Sequence, residues 1–324
     1  MPDHGIVVVT GAAGFIGRAC VAQLKANGWR VRGLVRALDG QTAARAEFLS
    51  VGDLAAIGAH SLANALRGAV AVVHLAARVH QPERDDAHAA YRAMNVGVTQ
   101  RLAEAAIAHG VRHFVFASTV KVNGETTAAG RPFRESDPPD PHGEYAQSKW
   151  AAEQVLGALA QPSGLRVTAL RLPLTYGPGA KANFAALARA VRHGVPLPLA
   201  SVANQRSILG VGNCCSALAT LLASDDAPDR GRVTPYFVAD RTPVSTPELI
   251  RAIAQAIGVT PRLFALSPGL LRFAGACAGH AATVERLLGS LEVDTSAFCS
   301  RFGWAPPVSL ARGLAAALRT TAPL

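Results

Sequence analysis

The sequence predicts an α/β fold in which a doubly wound parallel sheet is followed by a smaller C-terminal lobe. Apolar, β-branched segments alternate with helical patterns through the first half of the 324 residues. Repeats of the type β-α-β with short turns build a parallel sheet that carries helices on both faces. The first apolar segment runs directly into a glycine-rich turn, and after Arg171 the alternation weakens and proline becomes frequent.

Strand and helix patterns follow one another in a regular order. The predicted strands are residues 6–10, 30–35, 47–51, 70–75, 113–117 and 166–170. The predicted helices are residues 15–27, 61–67, 86–109, 144–160 and 183–192. The Asn27-Gly28 and His109-Gly110 pairs are suitable helix C-terminal signals and support two of these boundaries.

The first predicted strand ends in a turn with the spacing G-x-x-G-x-x-G, formed by Gly11, Gly14 and Gly17. Gly11 permits the tight turn, Gly14 lets the backbone approach a phosphate, and Gly17 lets the helix lie close to its strand. The positive end of the following helix, at Phe15 and Ile16, favours a bound anion. After the first strand of an alternating chain, this turn predicts a Rossmann-type fold that binds a dinucleotide pyrophosphate.

The end of the second predicted strand bears on the choice of cofactor. An acidic residue there would bind ribose hydroxyls and favour NAD, whereas Arg36 suits a 2′-phosphate and favours NADP(H) over NAD(H). A solvated arginine is the alternative. Asp53, beside Leu54, follows the third strand and is a candidate acceptor for the adenine amino group, with a plain turn aspartate as the alternative.

The fourth predicted strand ends at Leu75, Ala76 and Ala77, whose small size would let the cofactor lie across the strand tips. We expect residues 1–172 to form the dinucleotide-binding domain, with residues of about 205–245 returning to it. Residues 173–204 and 246–324 are expected to form the substrate-binding lobe.

Three side chains are candidates for proton and hydride chemistry. Tyr145 and Lys149, at i and i+4, share one face of a predicted helix. A tyrosine phenol is a poor acid near neutral pH, but a nearby ammonium and a positively charged nicotinamide are expected to lower its pKa. Tyr145 would then exchange a proton with a substrate oxygen while hydride moves at the adjacent carbon. Thr119, after the fifth strand, would hold that oxygen.

Together these motifs resemble the extended short-chain dehydrogenase/reductases, in the NAD(P)-dependent epimerase/dehydratase group that acts on nucleotide sugars. The resemblance covers nearly the whole chain and is carried by residues 10–17, 74–77, 95–96, 118–119, 145–149 and 171–179. It implies Thr119, Tyr145 and Lys149 as catalytic residues, with Ser118 as the alternative hydroxyl. It also implies cofactor contacts from Asn95 and Pro173, in addition to Tyr145 and Lys149.

The resemblance further implies a substrate site in the second lobe. Asn183 would contact a nucleotide sugar, while Arg206 and Arg286 would hold its diphosphate, and Ser118 would lie beside the sugar. Arginine suits phosphate because its planar guanidinium presents a fork of donors. Surface arginines are the alternative. Relatives usually carry aspartate at the position of Asn213.

Departures from the family pattern narrow the reaction. Sugar dehydratases carry an Asp-Glu pair where this chain has Val120-Lys121, which argues against dehydration. Residues 121–125 and 181–184 are similar to a bacterial subgroup of O-antigen and capsule sugar synthesis, which includes UDP-4-keto-sugar reductases and UDP-glucose 4-epimerases. The sequence favours a reductase that transfers hydride from NADPH to carbon 4 of a UDP-4-keto-hexose or hexosamine. Alternatives are a UDP-sugar 4-epimerase, a reductase of non-nucleotide carbonyls and a non-catalytic NADP(H) sensor.

Composition argues against other classes of function. The net charge of +10 comes from scattered arginines without aromatic interleaving, so we expect no nucleic-acid partner. The five cysteines lack metal-binding spacing, so no metal site is predicted. No apolar stretch is long enough for a membrane span, and the N-terminus lacks a secretory pattern. We expect a cytoplasmic protein. By resemblance, helices 86–109 and 144–160 are expected to pair in a homodimer.

Overall fold

A parallel sheet with helices on both faces forms the centre of the molecule. The computed structural model describes residues 5–40, 42, 45, 47–79, 87–180, 182–224, 226 and 229–319. Within these residues the strands are β1 (Ile6–Thr10), β2 (Arg30–Val35), β3 (Phe48–Ser50), β4 (Ala69–His74), β5 (His113–Thr119), β6 (Arg166–Leu172), β7 (Leu174–Tyr176), β8 (Ile208–Gly210) and β9 (Val233–Phe237).

The helices of the described residues are α1 (Phe15–Ala26), α2 (Ala59–Leu66), α3 (Ala87–Tyr91), α4 (Val98–Ala108), α5 (Gly143–Ser163), α6 (Ala182–Arg192), α7 (Val211–Ala223), α8 (Thr246–Ile257), α9 (Pro268–Cys277), α10 (Ala281–Leu288), α11 (Ser296–Phe302) and α12 (Leu310–Arg319). A π-helical segment, Arg92–Gly97, joins α3 to α4, and a 3₁₀ turn, Val120–Val122, follows β5. None of these helices is both long enough and apolar enough to cross a membrane.

The main sheet has the strand order β3-β2-β1-β4-β5-β6-β9, and its neighbouring strands are parallel. The direction of winding reverses between β1 and β4, where open α/β sheets bind their ligands. All six predicted strands are present with small shifts at their ends, and the predicted Rossmann-type fold is confirmed.

Side chains of β1 alternate between two cores, as the period of a strand requires. Val7 and Val9 pack with residues of α1 and α7 on one face, while Val8 packs with α2, α4 and α5 on the other. All three valines are fully buried. This sandwich explains why the strand is a run of β-branched residues, since both of its faces are covered.

The structure differs from the sequence prediction in the helix before β5 and in the second half, where β7, β8, β9 and α7–α12 were not predicted. The helix predicted over residues 86–109 is divided by the π-helical segment, and residue 86 lies outside the described residues. Strand β9 was not predicted as a strand because it contains Pro235, which cannot donate to a ladder. Proline is tolerated there because β9 pairs with β6 alone, at the edge of the sheet.

The second core lies outside the main sheet. Helices α6, α8 and α12 pack together around Ile250, Ile253 and Leu314, next to the two-stranded sheet of β7 and β8. Strand β9, which falls within residues 205–245, joins the main sheet. The exact division of the chain into two domains stays a prediction.

Candidate active site

The glycine turn after β1 is built for backbone alone. Gly11 has a φ of +65°, and a Cβ there would lie 2.9 Å from the amide nitrogen of Ala76. A Cβ on Gly17 would lie 2.1 Å from the carbonyl oxygen of Gly11, and one on Gly14 would lie 3.0 Å from it. Any side chain would therefore force the turn, α1 and the loop after β4 apart.

The start of α1 is open to an anion. Its N-cap residue, Gly14, offers no side-chain hydrogen bond, and the first turn of the helix carries no acidic residue. Phe15 and Ile16 begin this helix, so their N–H groups belong to its electropositive end. A cradle free of side chains at a helix N-terminus fits the pyrophosphate of a dinucleotide.

A chain of buried hydrogen bonds fixes the loop after β4. The Thr99 hydroxyl donates to the carbonyl oxygen of Asn95 at 2.7 Å, and it therefore accepts from Nε2 of His74 at 3.0 Å. Nδ1 of His74 then accepts from the Thr10 hydroxyl at 2.6 Å, which itself accepts from the amide of Ala76 at 3.2 Å. Burial lowers the pKa of His74 to about 3, which keeps the ring neutral.

Asn95 lies in the π-helical segment and acts within the protein. Both hydrogens of its amide are used, since Nδ2 donates to the carbonyl oxygen of Arg78 at 3.1 Å and to the Ser148 hydroxyl at 2.9 Å. Its Oδ1 accepts from the amide of Arg78 at 2.8 Å. Asn95 thus joins the loop after β4 to α5, and the cofactor contact expected from the sequence stays a prediction.

The three predicted catalytic residues meet at the carboxyl end of β5. The phenol of Tyr145 hydrogen-bonds with the side chain of Thr119. Nζ of Lys149 donates to the carbonyl oxygen of Ala117 at 2.7 Å and lies 4.4 Å from the centre of the Phe116 ring. Strand β5 and helix α5 therefore place a hydroxyl, a phenol and an amine in one buried cluster.

The pKa values in this cluster differ from the expectation. Burial raises the pKa of Tyr145 to about 12, and neighbouring Tyr91 adds to the effect. Burial lowers the pKa of Lys149 to about 7, against the opposing effect of the Glu153 carboxylate. Among the protein's own groups the pKa of Tyr145 is raised and not lowered, because burial dominates and the Lys149 amine donates to the Ala117 carbonyl. The lowering expected from Lys149 together with a positively charged nicotinamide stays a prediction.

Ser118 belongs to a different network from Thr119. Its hydroxyl donates to Oε1 of Glu153 at 2.5 Å, and Glu153 forms a buried ion pair with Arg171 at 2.7 Å. Arg171 also donates to Oδ1 of Asn123 at 2.9 Å. Neighbouring strand residues point to opposite faces, so the two predicted hydroxyls are not interchangeable.

Arg206 and Arg286 are distant in sequence, yet the charge of Arg286 acts on Arg206. Arg206 is half-buried, and its Nη1 donates to the carbonyl oxygen of Gly289 at 2.8 Å. Burial lowers its pKa, the Glu125 carboxylate opposes this, and the Arg286 charge adds to it. Arg286 is exposed on α10 and donates to the Thr283 hydroxyl at 3.1 Å.

The remaining predicted residues line the edges of this region. Arg36 is exposed at the end of β2, and its carbonyl oxygen accepts from the amide of Gly52. Asp53 is exposed and its Oδ1 accepts from the amide of Ala55 at 3.0 Å, as a turn aspartate does. The others are Leu54, Leu75 and Ala77, which are partly buried, Ala76 and Pro173, which are buried, and Asn183, which is exposed on α6.

Tyr145 has an aromatic neighbour, Tyr91, which in turn lies beside a cation, and sequence reasoning missed both. The ring of Tyr91 lies 6.4 Å from that of Tyr145 in an edge-on arrangement, and the Arg78 guanidinium lies 5.8 Å from the Tyr91 ring. Their separation along the chain hides the contact. Among the described residues, no group of three or more His, Cys, Asp or Glu side chains is arranged to hold a metal ion.

The fold and this site define a dinucleotide-dependent enzyme of the extended short-chain dehydrogenase/reductase type. Residues 7–235 match the NAD dependent epimerase/dehydratase family. The chain belongs to that family.

Relatives of known name agree with this assignment. The chain is 35% identical over 315 residues to a "UDP-glucose 4-epimerase" of Vibrio cholerae, covering 95% of this chain and 92% of that protein. It is 32% identical over 271 residues to a "Ceramide reductase" of Caulobacter vibrioides, covering 83% and 76%. The crystal structure of a Thermus thermophilus UDP-glucose 4-epimerase in complex with NAD superposes with a TM-score of 0.76 at 25% identity, covering 98% and 100%.

Proposed function

We propose that this enzyme is a UDP-sugar 4-epimerase, which oxidises carbon 4 of the sugar and reduces it again from the opposite face. The observation that carries the proposal is that Thr119, Tyr145 and Lys149 lie together at the carboxyl end of β5. The glycine turn lies at the carboxyl end of β1, in the same sheet. The names of the Vibrio and Thermus relatives support a UDP-sugar as the substrate.

Tyr145 is the group that moves the proton. Its phenol exchanges a proton with the oxygen on carbon 4, and the Thr119 hydroxyl, already hydrogen-bonded to it, orients that oxygen. When bound, the nicotinamide accepts and returns the hydride, and its oxidised ring carries positive charge. Because burial alone raises the pKa of Tyr145, removing its proton depends on cationic charge near the phenol.

Lys149 supplies part of that charge and holds the cofactor. With a pKa of about 7 it is only partly protonated near neutral pH, so a bound anion or hydroxyl would increase its protonated fraction. The cradle at Gly11, Gly14 and Gly17 would hold the pyrophosphate, with Phe15 and Ile16 offering N–H groups. Leu54, Leu75, Ala76, Ala77 and Pro173 would line the remainder of the cofactor site.

We propose NAD as the cofactor, supported by the NAD complex of the Thermus relative. The NADP(H) preference inferred from Arg36 stays a prediction. The exposure of this side chain at the end of β2 leaves it free to approach a 2′-phosphate. Asp53 already accepts a hydrogen bond from its own turn, which favours its alternative role as a turn residue.

Arg206 and Arg286 would hold the diphosphate of the sugar nucleotide. Two neighbouring guanidinium groups, one of them half-buried, repel each other and are stabilised by a bound dianion. Asn183 would contact the nucleotide from α6. Thr119 is the proposed catalytic hydroxyl. Ser118 would support the site indirectly, through its hydrogen bond to Glu153 and the ion pair of Glu153 with Arg171.

A reductase of UDP-4-keto sugars is the second candidate. A phenol with a pKa of about 12 is neutral and suited to donating a proton to a keto oxygen. Arg36 would favour the NADPH that such a reaction consumes, and the Caulobacter relative is named a reductase. Both activities use the same three residues and differ in whether the cofactor stays bound between turnovers.

One preparation separates the two activities. The purified protein is denatured and its released nucleotide is identified by mass. The native protein is then incubated with UDP-glucose and with UDP-N-acetylglucosamine, without added nucleotide. Retained NAD and interconversion of 4-epimers are expected. Absence of any epimer, together with NADPH oxidation that requires a 4-keto sugar, would replace the epimerase by the reductase.

The setting of the enzyme is also a proposal. The five cysteines are free thiols, which fits a reducing compartment such as the cytoplasm. We propose a homodimer through the exposed faces of α4 and α5, and a role in the supply of sugars for lipopolysaccharide synthesis. Ultracentrifugation of the purified chain measures directly whether it forms a dimer.

A further inference from the structure

We infer that Lys121 and Glu125 select uncharged sugars over uronic acids, an assignment that rests on the UDP-sugar chemistry proposed above. The two side chains form an ion pair, with Nζ of Lys121 2.6 Å from Oε1 of Glu125. Both remain partly exposed, at 28% for Lys121 and 36% for Glu125. They are therefore accessible to a ligand.

Lys121 lies at the catalytic end of the site. It sits in the 3₁₀ turn directly after β5, and its amide donates to the Thr119 hydroxyl oxygen at 3.3 Å. The backbone of Lys121 is thus held against the same hydroxyl that contacts Tyr145. A sugar whose carbon 4 oxygen approaches Thr119 must pass close to this turn.

Glu125 lies at the diphosphate end. The next residues pack on the segment after α10, where the amide of Thr127 donates to the carbonyl oxygen of Ser290 at 2.9 Å. The neighbouring carbonyl, of Gly289, accepts from Nη1 of Arg206 at 2.8 Å. Glu125 also lies near Arg206, because its negative charge raises the pKa of Arg206 against the lowering effect of burial.

The ion pair therefore spans the space between the two ends of the proposed substrate. A sugar with its diphosphate on Arg206 and its carbon 4 oxygen at Thr119 lays its ring alongside Lys121 and Glu125. Lys121 offers three ammonium hydrogens and Glu125 offers two carboxylate oxygens. One hydrogen and one oxygen are used in the bond between the two side chains. Ring hydroxyls can bind both partners without any change in net charge.

A uronic acid would meet a different field. Its carboxylate would approach a lysine whose charge Glu125 already neutralises, and it would be repelled by that carboxylate. Without the Glu125 charge, the cations Lys121, Arg206 and Arg286 would face the sugar unopposed. Glu125 is thus the residue that excludes a negatively charged sugar, and Lys121 is its partner.

The test compares two sugar nucleotides in the unmodified protein and in three variants. Dissociation constants of UDP-glucose and UDP-glucuronic acid are measured by calorimetry, and kcat/KM is measured wherever turnover occurs. In Glu125→Gln we expect the preference to shift toward UDP-glucuronic acid by at least about tenfold. Lys121→Met keeps the Glu125 carboxylate and removes its cationic partner, so we expect discrimination against UDP-glucuronic acid to increase.

Glu47→Gln is the matched control. Glu47, just before β3, forms an ion pair with Lys25 of α1 at 2.9 Å, outside the proposed substrate site. Partly exposed ion pairs contribute little to stability, so all three variants should fold. An unchanged sugar preference in Glu125→Gln, or an equal shift in Glu47→Gln, would overturn the inference while leaving the proposed function intact. Failure of the unmodified protein to bind UDP would instead refute the proposed function, and the inference with it.

Discussion

Tyr145 is the residue on which the proposed chemistry depends, and that chemistry uses its hydroxyl. Tyr145→Phe keeps the ring that packs against Tyr91 and removes the proton that contacts Thr119. We expect turnover to fall by about 10²- to 10⁴-fold, with binding of the dinucleotide retained. Initial rates and a nucleotide titration measure both effects.

The control for this substitution is Tyr91→Phe. It removes a hydroxyl from the neighbouring ring without touching the Thr119 contact. We expect its rate to stay within about threefold of the unmodified enzyme. Tyr145→Phe with comparable activity would show that another group moves the proton.

The sequence predicted which residues form the candidate site better than it predicted their pKa values and hydrogen-bond partners. The spacing of Tyr145 and Lys149 is local and places both on one helix face, so α5 could be anticipated. The pKa directions could not, because they depend on burial and on the approach of Lys149 to Ala117. The choice between Ser118 and Thr119 likewise required knowledge of Glu153, which lies far along the chain.

The glycine turn and α1 act as one element. In Gly17→Ala the new methyl group would lie 2.1 Å from the Gly11 carbonyl oxygen, so the helix must move away from its strand. We expect the free energy of unfolding to fall by about 2 kcal/mol or more, and dinucleotide affinity to fall with it. Urea denaturation and a nucleotide titration measure the two losses.

Gly269→Ala is the control for this element. Gly269 lies in α9, and a Cβ there meets nothing within 4 Å. We expect a change below about 1 kcal/mol, of either sign. An equally small effect of Gly17→Ala would contradict the close packing of α1 on the turn.

Strands and helices with an unbroken apolar pattern were predicted, whereas the π-helical interruption of the helix over residues 86–109 was not. The apolar run of β1 and the glycines after it specify their structure locally. The π-helical segment is different, because its Asn95 bonds to Arg78 in the loop after β4 and to Ser148 of α5. These partners are distant in sequence, so residues 86–109 read as one helix.

For the whole molecule, two buried histidines contribute to the loss of stability in acid. Burial lowers the pKa of His74 to about 3 and that of His113 to about 4, from the usual value of 6.5. Below pH 6.5 the unfolded chain takes up two protons that the folded chain excludes. Stability therefore falls as the pH is lowered from 6.5 toward 4, by up to about 1.4 kcal/mol per pH unit for each histidine.

Urea unfolding at a series of pH values measures this dependence. His113 hydrogen-bonds to the Thr168 hydroxyl at 2.8 Å, and His113→Asn keeps a polar partner there while removing one titrating group. We expect a shallower decline for the variant between pH 6.5 and 4. Parallel curves for the two proteins would contradict a neutral, buried His113.

The overall architecture was the most predictable level, since alternating strands and helices have few ways to fold. Strand β9 and the arrangement of the second lobe were not, because β9 contains a proline and the α8–α12 region lacks the same alternation. The meeting of Arg206 with Arg286 also depends on that arrangement. Only the resemblance to nucleotide-sugar enzymes indicated these two arginines.

The central claim is that hydride leaves and returns to carbon 4 of the sugar at the Thr119–Tyr145–Lys149 cluster. UDP-glucose that carries deuterium on carbon 4 tests it most directly, with the product examined by NMR and mass spectrometry. We predict the 4-epimer with the deuterium still on carbon 4 and no exchange with solvent. An epimer that has lost its deuterium to water, or the absence of any epimer, would contradict the account.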